Sequence, residues 1–233
     1  MSEPASPRRA IVAEGVGTFL LVAIGPGAAM VAAKTGAVTH LGVALAFGAI
    51  VTIVVASTGH LSGAHINPAV TLGFWSIRRF PARLVPGYLT AQCVGAALAA
   101  FGLRWILGPV GKLGATIPAL SLERSFAVEA VCSALLGFVI AAVATDERVP
   151  AGIAAMAIGT TVFAGALVAG PLTGGSFNPA RSLGPALAGG GWTAHWLYWV
   201  APIGGVTGGM QLYGRLGRRP GSPVSAGVAT GGP

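Results

Sequence analysis

Two Asn-Pro-Ala boxes are the residues of this chain whose types and spacing point most directly to a functional site. One lies in each half of the sequence: Asn67, Pro68, Ala69 and Asn178, Pro179, Ala180. Asparagine caps a helix start and proline fits the first helical turn, so each box predicts the start of a short helix. Two such starts in equivalent places predict two short helices aimed at one site. No paired acids, Ser/His dyad or metal-ligand set accompanies them, so an enzyme is not expected.

Three charged residues, Glu14, Glu129 and Arg181, lie within apolar sequence, and their presence there requires an explanation. A charge at the centre of a membrane span costs about 2.5–3.5 kcal/mol on insertion scales. The glutamates suit two roles, an interfacial position or, as we favour, acceptance of backbone N–H groups from the irregular segment before each asparagine. Arg181 either snorkels to an interface or lines an aqueous path, and its place at the start of a half-helix favours the path.

Two histidines flank the first glycine-containing segment, His60 and His65. They have no Cys, Asp or Glu beside them, so neither a metal site nor another cofactor is expected. The backbone carbonyls of this segment matter more than the rings, because an irregular loop must turn some acceptors toward a path. Cys93 and Cys132 are interpreted as small core residues of apolar helices.

The composition predicts a membrane protein. The chain is 54% hydrophobic and 9% charged, with a mean hydropathy of +0.77, whereas a soluble domain is about a quarter charged. Its 37 glycines would let helix backbones approach closely in a bilayer. The net charge of +8 does not indicate nucleic-acid binding, because the basic residues are spread along the chain beside apolar runs.

The elements that must position these residues are helices. Six apolar runs are long enough to span a bilayer, at about 10–33, 38–57, 84–107, 124–144, 150–170 and 194–214. Two half-length apolar segments, 67–76 and 178–188, begin at the boxes. Each half contains a span, a span, a half-helix and a span, so the second half enters from the opposite side. The sequence thus predicts an all-α membrane protein with an inverted repeat, whose site lies near the midplane.

The positions of lysine and arginine predict N- and C-termini in the cytoplasm. On that assignment the inside carries Arg8, Arg9, Arg78, Arg79, Arg83, Arg148, Arg215, Arg218 and Arg219, and the outside carries Lys34, Arg104, Lys112 and Arg124. A cleaved signal peptide is disfavoured, because removing it would break the repeat. We expect a channel domain over 8–217, with repeats at about 8–107 and 122–217, and disordered tails at 1–7 and 218–233.

The chain resembles the aquaporin, or major intrinsic protein, family over about residues 8–217. The match is carried by SGAHINPAVT and GSFNPARS in opposed halves, with a glutamate on the first and fourth spans. The resemblance implies six tilted helices, two half-helices meeting at the midplane, and a homotetramer with one pore per subunit in the cell membrane. It implies a passive channel whose partners are water, small neutral solutes and the lipid bilayer.

The resemblance also implies roles for individual residues. Asn67 and Asn178 would point their amides into the pore, giving a passing oxygen two donors. The acceptor ladder would be formed by backbone carbonyls of both loops, namely Gly63, Ala64, His65, Ile66, Gly174, Gly175, Ser176 and Phe177. The positive tips of two facing half-helices would exclude protons and other cations while leaving neutral molecules alone.

A narrow filter is implied at Phe47, Ala166, Gly175 and Arg181. Strict water channels usually have histidine in place of Ala166, so this filter would be wider and more permissive. Other markers disagree: typical glycerol channels carry aspartate in place of Ser182, whereas Ala186 and the pair Tyr198-Trp199 resemble water channels. The stretches 144–162 and 168–187 most resemble the plant nodulin-like branch, which passes water, glycerol and uncharged metalloid acids. The alternatives are a strict water channel, a secondary transporter and a structural junction protein without a pore.

Overall fold

The computed structural model describes residues 6–145 and 149–216, and the chain over these residues is built from helices. The eight principal helices are α1 Pro7–Thr35, α2 His40–Ser62, α3 Pro68–Ser76, α4 Val85–Leu107, α5 Leu122–Ala144, α6 Ala151–Thr173, α7 Pro179–Pro185 and α8 Leu197–Leu216. Three short helical turns connect them, at Ala82–Leu84, Gly111–Gly114 and Ala186–Gly190. The predicted all-α architecture with two short helices is confirmed.

Glycines end the helices that lead into the two irregular segments. Gly63 follows α2 and Gly174 follows α6, each with φ of 86°, and each donates its N–H to the carbonyl four residues earlier. A left-handed residue closes a helix and reverses the chain, and glycine adopts this conformation without steric cost. The chain therefore leaves both helices in the same way and turns back into the bundle at equivalent places of the two halves.

Helix packing joins the two halves through their short helices. Within the halves, α1 packs on α4 and α5 on α8, and α2 meets α6 between the halves. Each short helix packs on the last helix of the other half, α3 on α8 and α7 on α4. Small residues permit close approach: a side chain at Gly95 would strike the carbonyl of Gly15, and one at Gly209 would strike that of Ala134.

The outer surface of the bundle is apolar. Among the described residues, α1, α2, α4 with the turn before it, α5 and α6 are long and apolar enough to cross a membrane. The last helix, α8, is 20 residues long but carries Gln211, Tyr213 and Arg215 at its end. Large side chains such as Trp105, Leu98 and Val131 are exposed, as expected of surfaces that face lipid.

The helix bounds differ from the predicted bounds where local signals were ambiguous. The first helix begins at Pro7 rather than at residue 10, because proline is accepted at a first turn. Glu14 therefore lies two turns inside α1 and is fully buried, rather than in the first turn near an interface. Glu129 is likewise buried two turns inside α5.

Other differences concern helix ends. The spans predicted to stop at 57 and 170 continue to Ser62 and Thr173, since only the following glycine ends them. The second half-helix, predicted to reach 188, ends at Pro185, and a wider helical turn over Ala186–Gly190 follows it. Outside the described residues lie residues 1–5 of the predicted tail 1–7, the predicted tail 218–233, and the basic residues Arg148, Arg218 and Arg219.

Candidate functional site

Each short helix starts at the asparagine of its box. The Asn67 Oδ1 atom accepts the backbone N–H of Ala69 at 2.8 Å. The Asn178 Oδ1 atom accepts those of Ala180 at 3.0 Å and Arg181 at 3.2 Å. In both cases a proline follows, and its fixed φ suits the first helical position. The carboxamide oxygens are therefore consumed by capping, which leaves the amide nitrogens to face other partners.

The two asparagines hold each other's loops. The Asn67 Nδ2 donates to the carbonyl of Phe177, and the Asn178 Nδ2 donates to the carbonyl of Ile66, both at 2.8 Å. The starts of α3 and α7 thus meet inside the bundle. A carboxamide nitrogen carries two hydrogens, so each asparagine retains one N–H donor for a molecule in the adjoining cavity. Both side chains line that cavity.

The loops before the asparagines have unusual backbone conformations. Ala64, Ile66 and Phe177 have positive φ values of 47°, 45° and 52°. A left-handed conformation costs a non-glycine residue about 1–2 kcal/mol, and it is rarest for a β-branched residue such as isoleucine. Such strain persists only where the surroundings fix it, and it concentrates at functional sites. The hydrogen bonds described next fix these loops.

A buried carboxylate holds the first loop. The Glu14 Oε1 accepts the backbone N–H of His65 at 2.8 Å and the hydroxyl of Ser62 at 2.7 Å. The Oε2 accepts the backbone N–H of Ile66 at 2.5 Å and the Gln92 side-chain amide at 2.8 Å. Four donors surround the carboxylate, so its burial is compensated by hydrogen bonds to every oxygen.

The second loop is held in an equivalent way. The Glu129 Oε1 accepts the backbone N–H of Ser176 at 2.9 Å and the hydroxyl of Thr173 at 2.6 Å. The Oε2 accepts the backbone N–H of Phe177 at 3.0 Å. Without Glu129, the two backbone N–H groups of this irregular loop would be buried inside a membrane without a hydrogen-bond partner. The two glutamates contact the same loop positions in the two halves, although no short motif links them.

Sequence reasoning missed two tyrosines that complete this support. The Tyr88 hydroxyl donates to the carbonyl of Ser62 at 2.9 Å, and the Tyr198 hydroxyl donates to that of Thr173 at 2.7 Å. Both side chains are fully buried and both accepting residues end a helix at a loop. Their nearly equal distance after the two asparagines is the signal that the repeat offers for this pair.

Gln92 was also missed. Its Nε2 donates both to Glu14 and to the Thr71 hydroxyl, 3.0 Å away, and the side chain is fully buried. Thr71 in turn lies 3.1 Å from the His65 Nδ1. This chain of polar groups joins α1, α3 and α4 behind the first loop. A glutamine in an apolar span was the signal that could have found it.

The His65 ring packs against aromatic residues behind the first loop. It stacks on Phe74 with centroids 4.8 Å apart and meets the edges of Phe80 and Tyr88. Within residues 6–145 and 149–216, no three His, Cys, Asp or Glu side chains gather where they could hold a metal. The ring therefore fixes the loop from behind while the His65 backbone contributes to the cavity lining.

The four residues of the implied filter all line one cavity. The Arg181 Cζ lies 4.8 Å from the centroid of the Phe47 ring, and its Nη1 donates to the carbonyl of Gly114 at 2.8 Å. Gly175 lies beside Ala166, since a Cβ added to it would be 3.6 Å from the Ala166 Cα. The structure thus brings together an aromatic face, a guanidinium and two positions with little or no side chain. Such a lining could discriminate between molecules by their size and by their hydrogen bonding.

The cavity has a volume of about 60 Å³, and both loops line it. Of the residues implied to form the carbonyl ladder, its lining includes Gly63, Ala64, His65, Ile66, Gly175, Ser176 and Phe177. Gly174 caps α6 instead, with its α-carbon against Thr116. The remaining walls are mostly aliphatic. This combination of polar loops on an apolar surface suits a small neutral molecule that exchanges hydrogen bonds as it moves.

Comparisons with known proteins agree with this arrangement. The profile of the major intrinsic protein family matches residues 1–213. Aquaporin NIP6-1 of Arabidopsis thaliana is 45% identical over 206 residues, which cover 88% of this chain and 68% of that protein. Aquaporin NIP1-1 of Oryza sativa subsp. japonica is 45% identical over 205 residues, covering 87% and 72%. The structure of the aquaglyceroporin from Plasmodium falciparum matches with a TM-score of 0.79 and 27% identity, covering 89% and 96% of the two chains. On these matches and on its eight-helix architecture, the chain belongs to the major intrinsic protein family.

Proposed function

We propose that this membrane protein is a passive channel for water and small uncharged solutes, including glycerol and uncharged metalloid acids, and that it excludes protons and ions. The observation that carries the proposal is the reciprocal contact of the two asparagines with the opposite loops. It places two N–H donors at the same point of a cavity whose lining includes carbonyl groups from both sides. A neutral oxygen passing this point would accept from Asn67 and Asn178.

Exclusion of cations would come from the two helix starts. Each helix N-terminus carries about half a positive charge, and α3 and α7 meet with these ends together. Arg181 adds a full charge beside the cavity, with 3% of its surface exposed. Positive charges of this kind repel protons and other cations but leave neutral molecules alone. A water molecule that accepts two hydrogen bonds from the asparagines would also interrupt proton hopping along a file of water.

The width of the filter supports solutes larger than water. Ala166 and Gly175 offer little side-chain volume opposite Phe47 and Arg181. Ser182 does not enter this space: its hydroxyl lies 2.6 Å from that of Ser176 and accepts from Thr116 at 2.9 Å. The substitution of serine for an aspartate at this position therefore changes the support of the second loop rather than the opening. The alternative is a strict water channel, and the glycerol permeability of proteoliposomes distinguishes the two.

Location and assembly follow from the family resemblance. We propose a cell-membrane protein with cytoplasmic termini, because Arg8, Arg9, Arg78, Arg79 and Arg83 lie at chain segments that the helix order places on one side. We also propose a homotetramer with a pore in each subunit. Protease access to sealed vesicles tests the side on which the termini lie. Cross-linking in native membranes tests the tetramer.

Stopped-flow light scattering of proteoliposomes tests the proposal. The vesicles are challenged in turn with sucrose, glycerol, urea and boric acid, and protein-free vesicles give the baseline. Water, glycerol and boric acid permeabilities above this baseline are expected. The variant Asn178→Ala, which removes both the cap and the donor, should lower all of them. Permeabilities equal to those of protein-free vesicles would refute a channel.

A secondary transporter has less support. Coupling to an ion needs acidic groups inside the bundle that are free to exchange it, and the buried acids of the described spans are Glu14 and Glu129, whose oxygens are engaged with the loops. Collapsing proton and sodium gradients distinguishes the two functions, because a passive channel continues to conduct.

A further inference from the structure

Gly25, on the inner face of α1, lies directly behind the Phe47 ring. Gly25 is buried, and a Cβ built on it would lie 2.5 Å from the Phe47 Cδ1 and 2.7 Å from its Cζ. Real Cβ atoms do not approach carbon atoms this closely, so any larger residue would displace the ring. The ring therefore lies in contact with the helix backbone, in space that only glycine leaves open.

The opposite side of the ring faces the filter. The Arg181 Cζ is 4.8 Å from its centroid, and the ring is part of the cavity wall. Behind the ring is the α1 backbone, and in front of it are the cavity and the Arg181 side chain, which has more freedom to move than a helix backbone. A displaced ring therefore moves toward the cavity, and the distance needed to restore ordinary van der Waals contact is about 1 Å.

The next residue of α1 supports the other side of the same filter. The Gly114 α-carbon lies against Pro26, since a Cβ added to Gly114 would be 2.8 Å from the Pro26 Cα. The carbonyl of Gly114 accepts the hydrogen bond from Arg181. Two consecutive residues of α1 thus lie behind the aromatic and the cationic walls of the filter, although neither contacts a solute.

We propose that Gly25 is a specificity-determining position of this channel and acts by positioning Phe47. Its missing side chain lets the ring withdraw against α1, and this withdrawal sets the width opposite Arg181. The inference rests on the proposed function, because it assigns the selectivity of that same pore. A methyl group at position 25 would push the ring forward and favour water over larger solutes.

The experiment compares Gly25→Ala, Gly27→Ala, Phe47→Ala and the double variant Gly25→Ala/Phe47→Ala in proteoliposomes. Gly27 is the matched control on the same helix, because a Cβ there would meet only the flexible Leu103 side chain, at 3.2 Å from its Cδ2. Water and glycerol permeabilities are measured for each. For Gly25→Ala we expect glycerol permeability to fall about fivefold relative to water, since pore width acts most on the larger solute.

The double variant shows whether Gly25 acts through the ring. Once Phe47 is truncated, the added methyl group has nothing to displace, so the double variant should match Phe47→Ala in its glycerol-to-water ratio. This comparison holds even where Gly25→Ala alone does not fold. A wild-type ratio in Gly25→Ala, an equal change in Gly27→Ala, or a difference between the double variant and Phe47→Ala would each overturn the proposal. Absence of wild-type permeability would instead refute the channel itself.

Discussion

Glu14 and Glu129 occupy equivalent positions in the two halves, but only Glu14 also accepts a hydrogen bond from a glutamine side chain. Gln92 lies four residues after Tyr88, whereas Pro202 lies four residues after the equivalent Tyr198 and has no side-chain donor. The carboxylate of the second half therefore has three donors where the first has four. The two loops are alike in backbone path and differ in what holds them.

Replacing Glu129 by glutamine should destabilise the second loop. The amide end of glutamine would face backbone N–H groups of Ser176 or Phe177, and leaving one or two buried donors unpaired costs about 3 kcal/mol. Thermal unfolding in detergent, followed by circular dichroism, measures the loss. Glu123→Gln is the matched control, because this residue is an exposed glutamate on the same helix. Equal shifts for both variants would contradict the loop-holding role.

Truncating the two tyrosine hydroxyls should have similar effects in the two halves. Tyr88→Phe and Tyr198→Phe each leave a buried carbonyl without this donor, which costs about 1 kcal/mol. The sites are in different halves and share no partner, so the double variant should equal the sum within about 0.5 kcal/mol. Chemical denaturation in mixed micelles measures all three. Strong non-additivity would show that the loops are coupled through these hydroxyls.

Removing the guanidinium from the filter should admit cations. In Arg181→Val the charge and its hydrogen bond to Gly114 are lost, and the electrostatic barrier beside the cavity is lowered, so we expect about tenfold higher proton conductance. A pH-sensitive dye trapped in vesicles reports the leak. Arg79→Val, at an exposed position, should leave conductance at the wild-type level. An unchanged leak in Arg181→Val would assign cation exclusion to the helix starts alone.

A larger side chain at position 166 should make the channel more selective. Ala166→His narrows the filter but supplies a polar wall, so glycerol permeability should fall about tenfold while water permeability changes less than about twofold. Ala166→Leu fills similar space without hydrogen-bonding groups and should lower both. Osmotic swelling in sucrose and glycerol distinguishes these results. Equal loss of both permeabilities in Ala166→His would count against the filter assignment.

Stability should depend on the protonation of His195, which lies in the turn before α8. Burial lowers the pKa of His195 below its ordinary value of 6.5, and its Nε2 accepts a hydrogen bond from the Trp199 indole at 3.2 Å. The unfolded chain therefore takes up a proton before the folded chain does. Stability should be constant above pH 6.5 and decrease as the pH falls below it toward the folded-state pKa.

The variant His195→Gln isolates this contribution, because glutamine does not titrate. The unfolding temperature of the wild type should fall relative to that of the variant as the pH is lowered. A difference between the two proteins that does not change with pH would contradict the expected linkage.

The fold could be predicted from sequence because its signals are local. The Asn-Pro boxes specify two helix starts, and the long apolar runs specify the spans between them. The end of α7 at Pro185 was harder to predict, because the chain continues in a wider helical turn and no glycine ends the helix there. The start of α1 was missed by three residues, since the arginines after Pro7 hid a helix whose first turn is exposed.

The residues that support the site were harder to predict than the residues that line it. The positions of Glu14 and Glu129 suggested that they hold the loops, and the structure gives the atoms that they contact. Gly25 gave no such indication, and for Gln92 the sequence offered only a polar residue in an apolar span, because their contacts depend on which faces of α1, α2 and α4 meet. A single chain shows the spacing of residues along a helix, but rotation of one helix against another is decided by packing of the whole bundle.

The reciprocal hydrogen bonds from the two asparagines to the opposite loops have a consequence for biosynthesis. The Asn67 side chain donates to the carbonyl of Phe177, which has not yet been translated when the first half enters the membrane. The Ile66 carbonyl likewise accepts from Asn178, which is made later. Hydrogen bonds from the first loop to Glu14 and Tyr88 can form earlier, but the contacts between the two loops form only after both have been translated. The Asn67 amide and the Ile66 carbonyl therefore stay without these partners until the second half-helix has entered the membrane.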